Sequence, residues 1–255
     1  MRSERLALWV FAASLLGMGF LGVVQGEAVA VWAPLPKGLP AGDALAYASA
    51  LISTVCGLGL LIPRLSRRAA LGLCIVLMAW LLMFRTPMLY RAPLSAVSWE
   101  SLGEIVVVLA GAGTLYAGFA ADFANRRPAL RAAQVLYGLA MLAFGAAHLA
   151  YVKETAALIP AWIPLHTAWV YLTGGTYIAS GFAVLLNLIA GTAAALSALQ
   201  MGLFSILVWV PLVLSQPRDA GRWSELLLSF ALAASGWIIA CVRLTRATVP
   251  GVTER

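Results

Sequence analysis

The sequence predicts an all-α integral membrane protein, with eight transmembrane helices arranged as two parallel four-helix repeats. Three observations predict it. The 255 residues are 62% hydrophobic and 11% charged, with a mean hydropathy of +0.93, whereas a soluble domain is about 45–50% apolar and about 25% charged. Eight apolar runs reach or approach the roughly 20 residues that cross a hydrocarbon core about 30 Å thick. Residues of the first half also recur 124 positions later: Pro36 with Pro160, Pro40 with Pro164, Tyr47 with Tyr171 and Gly57 with Gly181, joined by Phe20 with Phe144 and Leu61 with Leu185. Self-similarity at a fixed period marks a repeated structural unit.

The apolar runs cover residues 6–24, 44–62, 69–84, 102–121, 135–151, 165–186, 191–214 and 226–242. Continuous runs of this kind read as helices, because barrel strands alternate every second residue over about ten positions. A helix also satisfies its own backbone groups where lipid offers no hydrogen bonds. The first run follows Met1-Arg2-Ser3-Glu4-Arg5 as a secretory signal would. It is longer than a signal's apolar region of about 7–15 residues, and Phe20 belongs to the repeat frame, so it reads as a retained span.

Four spans per copy send both copies into the membrane in the same direction. Residues 1–121 are then the first repeat, 122–131 a cytoplasmic linker carrying Arg126-Arg127-Pro128, 132–246 the second repeat and 247–255 a tail. In each copy the external loop between the first two helices holds the proline pair, Pro36 and Pro40 or Pro160 and Pro164. Proline fixes φ and extends the residue before it, which stiffens such a loop. Gly57 and Gly181 fall deep in the second helix of each copy, where a missing side chain lets helices approach closely.

The net charge of +7 resolves into alternating loops. Eleven Lys and Arg residues flank the side of both termini, and six, namely Lys37, Arg85, Arg91, Lys153, Arg218 and Arg222, lie on the other side. By the positive-inside rule both termini are cytoplasmic. The basic balance is therefore a topology signal. No basic patch with interleaved aromatics appears, so nucleic acid is not an expected partner; the lipid bilayer is. Cys56, Cys74 and Cys241 show no CxxC spacing and read as small packing residues.

Polar groups at span ends are the candidate site. His148 ends the fifth helix and His166 begins the sixth, both at the external face. Two imidazoles there suit a small ligand or a quinone carbonyl. A metal or haem wants further ligands at recognisable spacing, and with no third His and no Cys cluster none is expected. Trp162 and Tyr171 fall where an interfacial aromatic belt is expected and could border the same ligand. Glu104 reads as an acid in the first turn of the fourth helix, where it complements the dipole. Gln200, near the middle of the seventh span, reads as an interhelical hydrogen-bond partner. No phosphate loop, Ser-His-Asp order or paired-carboxylate motif marks an enzyme. Pro63, Pro87 and Pro211 fall toward span ends, so the matched helix breaks of many transporters are not expected.

The stretch Phe144-Gly145-Ala146-Ala147-His148, the loop Pro160-Ala161-Trp162-Ile163-Pro164 and the opening Tyr171-Leu172-Thr173-Gly174 resemble the DoxX-like family of small four-helix bacterial membrane proteins. The resemblance covers roughly 135–186 well and 17–62 more faintly. The first copy departs from it, with Val24 opposite His148 and Ala50 opposite Gly174. The resemblance implies a bacterial inner-membrane protein of this fold, acting as a non-catalytic membrane subunit or partner-binding module. The family's link to thiosulfate–quinone oxidoreduction implies an alternative, a quinone-linked redox subunit with a redox partner protein and a quinone as its cofactor. A transporter of a small apolar or weakly acidic molecule is the further alternative.

Overall fold

The computed structural model describes residues 2–36, 38–119 and 123–247. Lys37, Asp122 of the expected linker, and residues 248–255 of the expected tail lie outside the described residues. Every regular element among the described residues is helical: α1 (Arg2–Gln25), α2 (Gly42–Leu61), α3 (Ser66–Trp80), α4 (Thr86–Arg91), α5 (Ala96–Gly118), α6 (Phe123–Ala150), α7 (Val152–Leu158), α8 (His166–Leu185), α9 (Ala190–Phe204), α10 (Val210–Ser215) and α11 (Ala220–Ala247). A 3-10 turn, Ala30–Trp32, lies between α1 and α2. Wide π turns, Leu81–Arg85 and Ser205–Trp209, join α3 to α4 and α9 to α10. Eight helical stretches are long and apolar enough to cross a membrane, with Ser66–Arg91 and Ala190–Ser215 each counted as one continuous span. The chain is a polytopic membrane protein by these spans, one for each apolar run of the sequence.

The helix boundaries follow the sequence offset. Starts at 42 and 166, 66 and 190, 81 and 205, 86 and 210, and 96 and 220 are each 124 residues apart. Small devices follow it too. Ser95 caps α5 by accepting from Ser98 N, and Asp219 accepts from Arg222 N ahead of α11. The indole N–H of Trp99 donates to Pro93 O at 2.8 Å, and that of Trp223 to Pro217 O at 2.9 Å. Packing is matched as well. The neighbours α1–α2, α2–α3 and α3–α5 correspond to α6–α8, α8–α9 and α9–α11, while α1–α11 and α5–α6 join the halves and α5 meets α11 at the centre.

Four details differ from the sequence expectation. Residues 123–131 are the start of α6, not a linker. The apolar run begins at 102, yet α5 starts at Ala96 behind its Ser95 cap, so Glu104 stands two turns into the helix and not in its first turn. Arg85 is 2% exposed inside the bundle, not in an external loop. And two spans, though continuous, each carry a π turn at a matched place. Pro87 and Pro211 lack an N–H and their rings crowd the preceding turn; a π turn before each relieves that conflict. The turns close with Thr86 N–H on Leu81 O and Val210 N–H on Ser205 O, and the Thr86 hydroxyl adds a second donor to Leu81 O.

Helices also approach closely where glycines meet. A Cβ built on Gly181 of α8 would lie 2.8 Å from Gly138 O of α6, a backbone atom with nowhere to go. Such seams let α6 and α8 pack without a hydrophobic driving force, by close dispersion contact.

Candidate functional site

The end of the bundle that carries the 26–41 and 151–165 connections holds a chamber of about 150 Å³. It lies where the N-terminal turns of α5 and α11 meet the C-terminal end of α6, the middle of α8 and the α9–π region, with α7 forming one wall. Three carboxylates line it: Glu100 and Glu104 from α5 and Glu225 from α11. Glu100 and Glu104 are four residues apart, which puts them on one face of the helix. His148 and Phe144 come from α6, Tyr177 from α8, Met201 and Phe204 from α9, Trp209 from the π turn, and Thr155 and Leu158 from α7.

Hydrogen bonding defines the state of the imidazole. Nδ1 of His148 lies 2.9 Å from Phe144 O, and a carbonyl can only accept, so Nδ1 carries the proton. In the neutral ring Nε2 then offers a lone pair. The ring meets Tyr177 edge-on, with centroids 5.2 Å apart at 68°, and Phe144 meets the same Tyr177 ring at 6.0 Å. Room for His148 depends on Gly174, whose added Cβ would come within 3.1 Å of the His148 Cβ. Ser229, also in the wall, pairs with Ser205 at 2.6 Å, and Ser205 donates onward to Met201 O. Neither serine is aligned with the imidazole as a nucleophile.

The carboxylates have no ion-pair partner among the described residues; the one ion pair there joins Arg222 to Asp219 at 3.2 Å. Glu104 feels the charges of Glu225 and Glu100 and, against them, that of Arg85. The chamber is thus rich in carboxyl oxygens that can accept hydrogen bonds. Among the described residues no cluster of three His, Cys, Asp or Glu side chains is arranged to hold a metal ion.

Of the residues singled out in the sequence, the chamber brings together His148 and Glu104 and leaves out the rest. His166 opens α8 outside the lining. Trp162 and Tyr171 are 73% and 55% exposed, facing away from the bundle. Gln200 bridges α9 to α8: its Nε2 donates to Thr173 O at 3.2 Å, and the Thr176 hydroxyl donates to its Oε1. Glu100, Glu225, Tyr177 and Trp209 were missed. The i, i+4 spacing of Glu100 and Glu104 was the readable signal; Glu225 lay in a helical turn that hydropathy had assigned to a loop.

At the corresponding place in the first half there is a side chain instead of a space. Trp32 is fully buried there. Its indole N–H donates to Ser53 Oγ at 2.7 Å, its carbonyl accepts from the Trp80 indole at 3.2 Å, and the two rings stand at 84° with centroids 5.1 Å apart. Arg85 donates to Val31 O at 3.1 Å and also to Ala33 O. A larger cleft of about 750 Å³ runs along the α5–α6 seam, lined by groups such as Leu102, Val106, Leu139 and Ala143 and by no titratable side chain.

No family model matches the chain, and no curated protein or solved structure is significantly similar to it.

Proposed function

We propose that this is a non-catalytic inner-membrane protein with both termini in the cytoplasm, made of two copies of one four-helix module, that binds a small solute in the acid-lined chamber. The observation that carries the reading is the convergence of unpaired acceptors from three helices, Glu100 and Glu104, His148 and Glu225, on one cavity. Ionisable groups within spans are costly unless they serve a purpose or find a partner, and these carboxylates have no ion-pair partner among the described residues. The alternation of basic loops supports the orientation. The resemblance of residues 135–186 to the DoxX-like family supports a membrane subunit that acts by binding.

The test is thermal unfolding of the purified protein in detergent against a panel of cationic, neutral and anionic solutes. A solute that raises the midpoint for the wild type should lose that effect in Glu104→Gln and in His148→Ala. Undiminished stabilisation of both variants would remove the chamber as its site. The matched π turns ahead of Pro87 and Pro211 favour a second reading, transport of the same solute, since matched helix irregularities in two halves accompany moving gates. In that case Pro211→Ala, which removes the cause of one π turn, retains binding and loses uptake into proteoliposomes; retained uptake speaks against it.

A further inference from the structure

We infer that the open chamber takes a small aromatic amine, its ring lying where Trp32 lies in the first half and its ammonium group facing the carboxylates. This rests on the binding reading above and names the class of its solute.

The first half shows what fills such a space. With the 124-residue offset, Ser53 corresponds to Tyr177, Trp80 to Phe204, Arg85 to Trp209 and Ser224 to Glu100. Tyr177, Phe204, Trp209 and, from α5 of the first half, Glu100 all line the chamber. Their four partners hold the segment around Trp32: Ser53 takes the indole N–H, Trp80 packs edge-on against the ring and donates to Trp32 O, Arg85 clasps the flanking carbonyls, and Ser224 Oγ, from α11 of the second half, accepts from Ala30 N at 2.6 Å. The space is therefore built around a flat ring that donates an N–H. In the second half the position of Trp32 is taken by Ala156, α7 replaces the 3-10 turn, and the space stays empty.

The walls state how the free occupant differs from the tethered one. Ser224, which accepts from Ala30 N beside Trp32, becomes Glu100 at the offset, and Glu104 and Glu225 join Glu100 in the chamber wall. A serine suits a neutral occupant, whereas three carboxyl groups without ion-pair partners among the described residues favour a cation. Charge-assisted hydrogen bonds from an ammonium group are stronger than neutral ones, and the faces of Tyr177, Phe204 and Trp209 attract the same charge. His148 Nε2 adds one more acceptor. An aromatic acid would set its carboxylate against those of the wall, and an aliphatic amine would leave the ring-shaped part of the space unfilled.

Calorimetric titration of the full-length protein in nanodiscs with tryptamine, indole-3-acetate and cyclohexylamine tests this. Tryptamine should bind at least about tenfold more tightly than either of the others, and Glu104→Gln with Glu225→Gln should weaken it by about tenfold or more. Thr155→Trp, which places an indole on the chamber wall, should abolish tryptamine binding; should that variant not fold, the charge replacements and the probe ranking decide. Equal or tighter binding of indole-3-acetate or cyclohexylamine overturns the aromatic-amine inference. If that binding still depends on Glu104, the chamber stands as a site for another class of solute. No tryptamine binding at all, or binding indifferent to the charge replacements, also overturns the inference.

Discussion

Ser53 and Tyr177 occupy the same position in helices that begin at Gly42 and His166, yet Ser53 receives the indole of Trp32 and Tyr177 forms the wall of a cavity. The difference begins in the connections. In the first half, residues 30–33 form a short 3-10 turn and extended backbone, which leaves the carbonyls of Val31 and Ala33 without helical partners. Buried carbonyls need donors, and Arg85 supplies them. In the second half, residues 152–158 form α7 and bond to themselves, so position 209 has no such duty and is Trp. A plugged space requires a large residue at 32, an irregular backbone to deliver it and a buried cation to hold that backbone. An open one requires only that the connection be a helix.

The contrast can be broken most severely at its centre. Trp32→Ala removes a fully buried ring and orphans the Ser53 acceptor; about 3–5 kcal/mol of stability should be lost. Chemical unfolding in micelles measures this, and added indole should recover part of it, as engineered apolar cavities accept matching ligands. Next comes the clasp. Arg85→Met leaves two carbonyls unpaired, at about 1–3 kcal/mol for each buried group, and hydrogen exchange should rise across 26–41. The matched Trp209→Met should leave exchange across 151–165 close to that of the wild type; equal deprotection in both loops would dissolve the distinction.

Smaller effects test the symmetry of the helix seams. Gly181→Ala meets Gly138 O at 2.8 Å and Gly57→Ala meets Ala12 O at 3.0 Å. Overpacking of this kind costs about 1–3 kcal/mol, with the second half expected to suffer more; comparing the two melting midpoints decides. Smallest is Gln200→Leu, which removes the polar bridge from α9 to α8. About 0.6 kcal/mol is the usual worth of such a bond in a membrane, and a loss of several kcal/mol would show that Gln200 also supports Tyr177 and the chamber.

The spans were legible because hydropathy reads lipid exposure directly, and each apolar run has a helix in the structure. What hydropathy hid was the polar end of those helices. Charged and serine-rich turns such as 96–101 and 220–225 fail an apolar threshold, but the backbone stays helical through them because Ser95 and Asp219 supply starting caps. Glu100 and Glu225 sit in just those turns. Proline and tyrosine matches at the offset drew attention to Trp162, Tyr171 and the loop, features at the bundle surface, whereas the differences within the frame, Trp32 against Ala156 and Arg85 against Trp209, carried the information about the chamber. The π turns were readable in principle from Pro87 and Pro211, which keep the offset and lie toward the ends of their spans. That a serine at 53 would accept from an indole 21 residues earlier is a tertiary fact that no local pattern states.

The chamber draws Glu100 and Glu104 from residues 1–121 and His148, Tyr177 and Glu225 from residues 132–246. Neither part can hold the whole lining, so separate expression of the two would yield no chamber until they associate. Two identical chains related by a twofold axis would carry two identical chambers, both open or both shut. Covalent joining removes that constraint, and a single polypeptide can keep one seat permanently taken while the other stays vacant.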